Sequence, residues 1–156
     1  MATYSFKSSG KTPQQQALET LNTSKIPFGI KTPMTLAGAG EGLLAMNYNI
    51  ADQFADNLRN LLLTNWGERL GHYQFGANLR PLTTEFASQE NFDNQAIERI
   101  RNAVNEWMPF VSLGTFESSV DRTENKNTAV ILIKITYSIP AIEVIDRALQ
   151  IVLYVI

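Results

Sequence analysis

Between Thr128 and Ile139 the chain alternates so regularly that a β-strand is the one backbone able to satisfy it. Ala129, Ile131, Ile133, Ile135, Tyr137 and Ile139 fall on every second position, the period of a strand with one face buried. Val130 and Leu132 make the other face apolar at its start, so that part is expected to be covered on both sides. Pro140 ends the run, because it has no N–H to give to a ladder. A sheet is therefore required, and neighbouring segments must supply its other strands and its cover.

Upstream, Val111 and Leu113 alternate in one phase and Phe116, Ser118 and Val120 in the other. The change at Gly114-Thr115 predicts a β-bulge. Residues 121–127 are polar and read as the turn between the two strands. Downstream, Val144 to Ile156 ends in Ile151, Val152, Leu153, Tyr154, Val155 and Ile156, uncharged and free of proline. Such a tail is either an interior strand of its own sheet or an open strand shared with another subunit by β-augmentation.

Two segments carry helical periodicity. In the first, Ile50, Phe54, Leu58, Leu61 and Leu62 form an apolar stripe, with Gln53, Asp56, Asn57, Arg59 and Asn60 on the wet side. Asn49 is its expected N-cap, and Asp52 meets the helix dipole in the first turn. In the second, Ile97, Ile100, Val104, Trp107 and Met108 follow the same period, widened by Ala96 and Ala103. Asn91 or Asp93 is the expected cap, and Pro109 the stop. The fold class is thus α+β: two amphipathic helices packed on one face of a small, mainly antiparallel sheet.

Residues 1–46 read as an extended N-terminal arm, leaving 47–156 as the α+β domain. Pro13, Pro27, Pro33 and the glycines between 38 and 42 interrupt the arm too often for a long element. One or two helical turns are expected over Gln14 to Leu21, and a short strand over Leu43 to Tyr48. Ile26, Phe28 and Ile30 carry apolar side chains in want of a surface. The glycine cluster lacks the spacing and the preceding strand of a dinucleotide loop.

Composition removes several function classes. A formal net charge of −2 leaves no basic footprint for nucleic acid. Without cysteine there is no thiolate metal site or nucleophile, and one histidine, His72, does not make a multi-histidine centre. No cofactor is expected. No apolar run is long enough to span a bilayer and the N-terminus lacks a secretory pattern, so a soluble, cytosolically made protein is expected.

The stretch from Leu58 to Phe86 is the densest in special residues. After the helical leucines come Gly67, suited to a left-handed helix end, the pair Glu68-Arg69, the aromatic turn Tyr73 to Gly76, and Leu79. Thr64, Gly67, Glu68, Arg69, Phe75, Gly76 and Leu79 together resemble the motif of a phage protein family. These are the small baseplate wedge proteins of contractile tails, long labelled lysozyme-like, with a counterpart in type VI secretion baseplates. Many relatives place proline and an acid where this chain has Tyr73 and Gln74. Many also carry Glu-Pro-Arg after the second helix, where Met108, Pro109 and Phe110 stand here, so any contact with the wedge core made by these residues is apolar.

The resemblance implies a structural, non-enzymatic subunit present in multiple copies in a symmetric assembly. Its implied partners are other baseplate wedge subunits and the tail sheath protein, whose first ring forms on the β part. Its implied place is the tail baseplate of a virion assembled in the host cytoplasm. The alternative is a peptidoglycan-cleaving, lysozyme-like hydrolase, which needs two carboxylates flanking a sugar and one of them protonated. Glu68, Glu85, Glu90 and Asp93 are the nearest acids, but Arg69 beside Glu68 is expected to keep it ionised. Glu68 and Arg69 are instead expected to fasten the turn. Trp66 and Trp107, at helix ends, fit either core-edge packing or an interface.

Overall fold

In a computed structural model of the chain, residues 12–14, 26–38, 42–84, 89–122 and 129–155 are described. The elements are β1 (Gly29–Ile30), β2 (Met46–Asn47), α1 (Ile50–Leu63), α2 (Arg80–Thr84), α3 (Gln89–Trp107), β3 (Ser112–Arg122), β4 (Ala129–Ile139), a 3-10 turn (Pro140–Ile142) and β5 (Val144–Val155). The fold is α+β. The chain forms two compact units, Met1–Gln53 and Phe54–Ile156, divided within α1. Beyond Gln14, the helical turns expected over Gln14 to Leu21 lie outside the described residues, as do residues 123–127 and Ile156.

In the first unit β1 and β2 pair antiparallel, Gly29 opposite Asn47 and Ile30 opposite Met46, and a bridge between Leu36 and Leu44 extends the hairpin. The strand expected over Leu43 to Tyr48 is therefore two residues long and finds its partner in the arm. Ile26, Phe28 and Ile30 are exposed. Asn49 caps α1 through its Oδ1, which accepts the Ala51 N–H at 2.9 Å.

In the second unit the sheet runs β3-β4-β5, antiparallel throughout. Ile131, Ile133, Ile135, Tyr137 and Ile139 of β4 face a core completed by Leu58, Leu61 and Leu62 of α1 and Ala96, Ile100 and Val104 of α3. Each large aliphatic fully buried here contributes about 1.5–3 kcal/mol of transfer free energy. The helices lie over this one face, while Val130 and Leu132, on the other, are half-buried. The bulge lies between Leu113 and Phe116, as the change of phase requires. Thr136 fills it: its Oγ1 accepts the Thr115 N–H at 2.7 Å and lies 2.9 Å from the Thr115 Oγ1.

Three expectations need correction. Asp56, assigned to the wet side of α1, is only 8% exposed, and its carboxylate lies 3.7 Å from the Arg59 guanidinium. Ile50, assigned to the stripe, is exposed, so the buried arc of α1 runs through Ala55, Asp56, Leu58, Leu61 and Leu62. Asn91 and Asp93 lie inside α3, which starts at Gln89. Asp93 instead ties α3 to β3, its Oδ1 accepting the Ser118 hydroxyl at 2.5 Å.

β5 is an outer strand. It is paired with β4 from Ala129 opposite Val155 to Ile139 opposite Val144, and among the described residues nothing pairs with its other flank. Leu149 and Ile151 point into the core, whereas Val152 and Tyr154 are 37% and 67% exposed.

Candidate functional site

The end of α1 is built to be closed by the loop that follows it. Its last carbonyls have no partners within the helix. The Asn60 carbonyl accepts both the Thr64 N–H at 3.1 Å and its hydroxyl at 2.6 Å. The Leu61 carbonyl accepts the Ala77 N–H at 3.1 Å, and that of Thr64 accepts the Asn78 N–H at 3.3 Å. The loop thus returns to the helix end it left. Gly67, at φ 86°, does not end the helix, which stops at Leu63; it sits in a turn closed by Glu68 N–H on the Asn65 carbonyl. A left-handed third position in such a turn calls for glycine.

The other motif residues each have a partner within this loop or against α3. Glu68 folds back on Asn65, accepting its backbone N–H at 2.8 Å and its side-chain amide at 2.9 Å. The Asn65 Oδ1 in turn accepts the Arg80 N–H at 3.1 Å, joining the loop to α2. The Arg69 guanidinium lies 4.3 Å from the centre of the Phe75 ring, and Phe75 meets Trp107 edge-on at 5.1 Å. The Trp66 indole N–H bonds the Gly76 carbonyl at 3.1 Å, and Leu79 is buried. His72 is exposed and stands edge-on to Trp107 at 5.5 Å. Arg99 of α3 donates to the Asn78 carbonyl at 2.6 Å, fixing the far side of the loop.

Hydrogen bonds from the Asn65 side chain and backbone, with a smaller contribution from the Arg80 charge, hold the Glu68 carboxyl below its usual range. Asn65 and Arg80 thus take the part that the sequence assigned to Arg69, whose guanidinium lies over Phe75 instead. A lowered folded-state pKa stabilises the fold fully above the ordinary carboxylate value, and this is lost as pH falls through the lowered one. Glu68→Gln is therefore expected to lower the thermal midpoint slightly at neutral pH, the difference vanishing in acid. Melting curves of both proteins across that range check it, and the effect is small because the carboxylate is exposed and solvent-screened.

Thr64, Glu68, Arg69 and Phe75 share a groove of about 690 Å³ with Trp107, Met108 and Phe110. Two residue groups nominated separately in the sequence thus meet on one surface. Met108 is buried, Pro109 and Phe110 are exposed, and the Phe110 ring lies 5.0 Å from that of Phe54. Asn57 and Asn60, which also line the groove, were legible only as the wet face of α1. The terminal strand does not reach this groove. Val152, Leu153 and Tyr154 border a second, smaller cleft, and Glu68 belongs to the walls of both. Ile156 and Glu85 lie outside the described residues.

No family model matches the chain, and no curated protein matches it. Among solved structures, a chain of the anti-feeding prophage baseplate, seen by cryo-EM with 6-fold symmetrisation, matches with a TM-score of 0.57 at 16% identity. The match covers 77% of this chain and 90% of that one. The two share a fold. A protein from Geobacter sulfurreducens described as a candidate tail lysozyme matches with a TM-score of 0.48 at 18% identity, over 68% of this chain and 89% of that one.

Proposed function

We propose that this chain is a structural subunit of a phage-tail baseplate, a wedge protein that binds other wedge subunits and templates the first sheath ring through its sheet. The observation that carries this reading is β5, hydrogen-bonded to β4 along one flank and paired with no strand along the other among the described residues. An open edge offers main-chain donors and acceptors to an incoming strand, which supply affinity, while alternate side chains supply specificity. The fold shared with a baseplate chain supports the reading. The groove between the loop and the end of α3 is the surface we assign to a second wedge subunit, with Met108 and Phe110 on its apolar side and Glu68 and Arg69 on its charged side.

Nothing in the loop asks for bond-making chemistry. A glycosidase acid must be protonated to donate, and Glu68 is held in the opposite state by Asn65 and Arg80. The tail location and the symmetric multi-copy arrangement follow from the same proposal.

The test is to blunt the edge while leaving the core intact. Lysines at exposed edge positions are a device by which proteins refuse added strands. Val152→Lys combined with Tyr154→Lys is expected to keep the fold, judged by circular dichroism and urea unfolding. Its binding to the sheath protein of the same particle is expected to fall at least about tenfold, equivalent to about 1.4 kcal/mol. A folded double variant that binds sheath as well as wild type removes the edge from the mechanism.

A further inference from the structure

Beside the end of β5 lies a cleft of about 390 Å³ to which the proposed function assigns no part. Val152, Leu153 and Tyr154 all line it. Successive strand residues point to opposite faces, so a hollow bordered by all three opens alongside the strand rather than above or below it. This is the side on which β5 has no strand neighbour among the described residues. The opposite wall comes from the helical layer: Leu62 and Leu79, both buried, and Leu63, which is 44% exposed. Exposed Glu68 and Arg80 also line it.

We infer that this cleft is a side-chain pocket for the strand that adds to β5, and that it selects a partner segment of defined pattern. The inference rests on the strand-addition reading above and extends it from the backbone to the side chains. An incoming strand opposite Val152 to Tyr154 has one side chain directed to the helical side, where exposed Leu63 is the apolar part of the wall and Asn65, Glu68, Arg80 and Thr83 the polar part. Its next side chain is directed to the outer face, where Val130 pairs with Tyr154 and Leu132 with Val152 as an apolar patch. Opposite this end of β5 the partner is therefore apolar at adjacent positions. Further back, the outer face carries Gln150 beside Lys134, with Glu117 on the next strand. There the partner alternates apolar and polar. The occupant is an extended segment of another chain that changes from alternation to a continuous apolar run along its length.

The experiment uses the full chain, immobilised and panned against a display library of random nine-residue peptides. Enrichment of peptides with adjacent apolar residues next to an alternating stretch is expected, with retention at least tenfold lower on Leu63→Glu. Leu63→Gln serves as the second variant if Leu63→Glu does not fold. Retention lost on Val152→Lys but unchanged by the Leu63 variants keeps strand addition and overturns the pocket. Enrichment insensitive to both sites, or no enrichment, overturns the pocket and counts against strand addition too. A wild-type dimer in sedimentation that Val152→Lys dissociates makes the occupant a second copy of this chain, and overturns the assignment to a different one.

Discussion

Replacing Gly76 by alanine is expected to destabilise the second unit by about 3–5 kcal/mol, the sum of backbone strain and overpacking at one position. A Cβ on Gly76 would lie 2.1 Å from the Thr64 carbonyl oxygen and 2.7 Å from its carbon, and φ is 111°. Both neighbours are backbone, so no rotamer change relieves the overlap. The same Thr64 carbonyl accepts the Asn78 N–H, so displacing it opens the closure of α1 as well. Gly71→Ala is the control: φ is 81° there, but a Cβ would meet nothing within 4 Å, and only about 1–2 kcal/mol of left-handed strain is expected. Urea unfolding of both variants with unchanged m-values separates the two effects. Equal losses at the two glycines would mean that close approach to Thr64 is unimportant.

Ile151→Ala is expected to destabilise the protein by about 3 kcal/mol, whereas Val152→Ser, one residue on, is expected to lose less than about 1 kcal/mol. Ile151 is 2% exposed and faces Ile133 across the ladder, so truncation leaves a hole in the core. Val152 lies on the outer face, where serine stays in contact with water. Equilibrium unfolding in urea checks the contrast, and similar losses at both positions would contradict the assignment of faces. From Ile151 to Tyr154 the strand is thus part core and part exposed. Removing this stretch would empty part of the core as well as the edge, which is why point substitutions on the outer side are the informative ones.

The parts of this architecture legible in the sequence are those whose signal is periodic. β4, the bulge at Gly114-Thr115, the Asn49 cap and the leucines of α1 all rest on alternation, helical spacing or a capping side chain, and these act locally. What could not be read depends on contacts distant in sequence. The five-residue α2 is too short for a period, and its start is set by Asn65, fifteen positions back, bonding the Arg80 N–H. Asp93 resembles an N-cap until Ser118 claims its carboxylate. Gly67 resembles a helix stop because nothing local says that α1 ends earlier, closed by Ala77 and Asn78. At the candidate site the residue types were readable, but not that Glu68 leans on Asn65 while Arg69 covers Phe75. The convergence of Phe75 with Trp107, Met108 and Phe110 needs α3 in place.

The two outer strands of the sheet are unequal in the length of regular edge they present. β3 is bent by its bulge between Leu113 and Phe116, a distortion that turns a margin away from further pairing. β5 has its own register shift, between Val144 and Arg147, and then pairs without one from Arg147 to Val155, a longer run than Phe116 to Arg122 in β3. On the strand-addition proposal, the longer unshifted margin, that of β5, is the one a guest strand takes. If each copy in a layer receives one guest segment at that margin, the stoichiometry of the next layer is written into the layer beneath it.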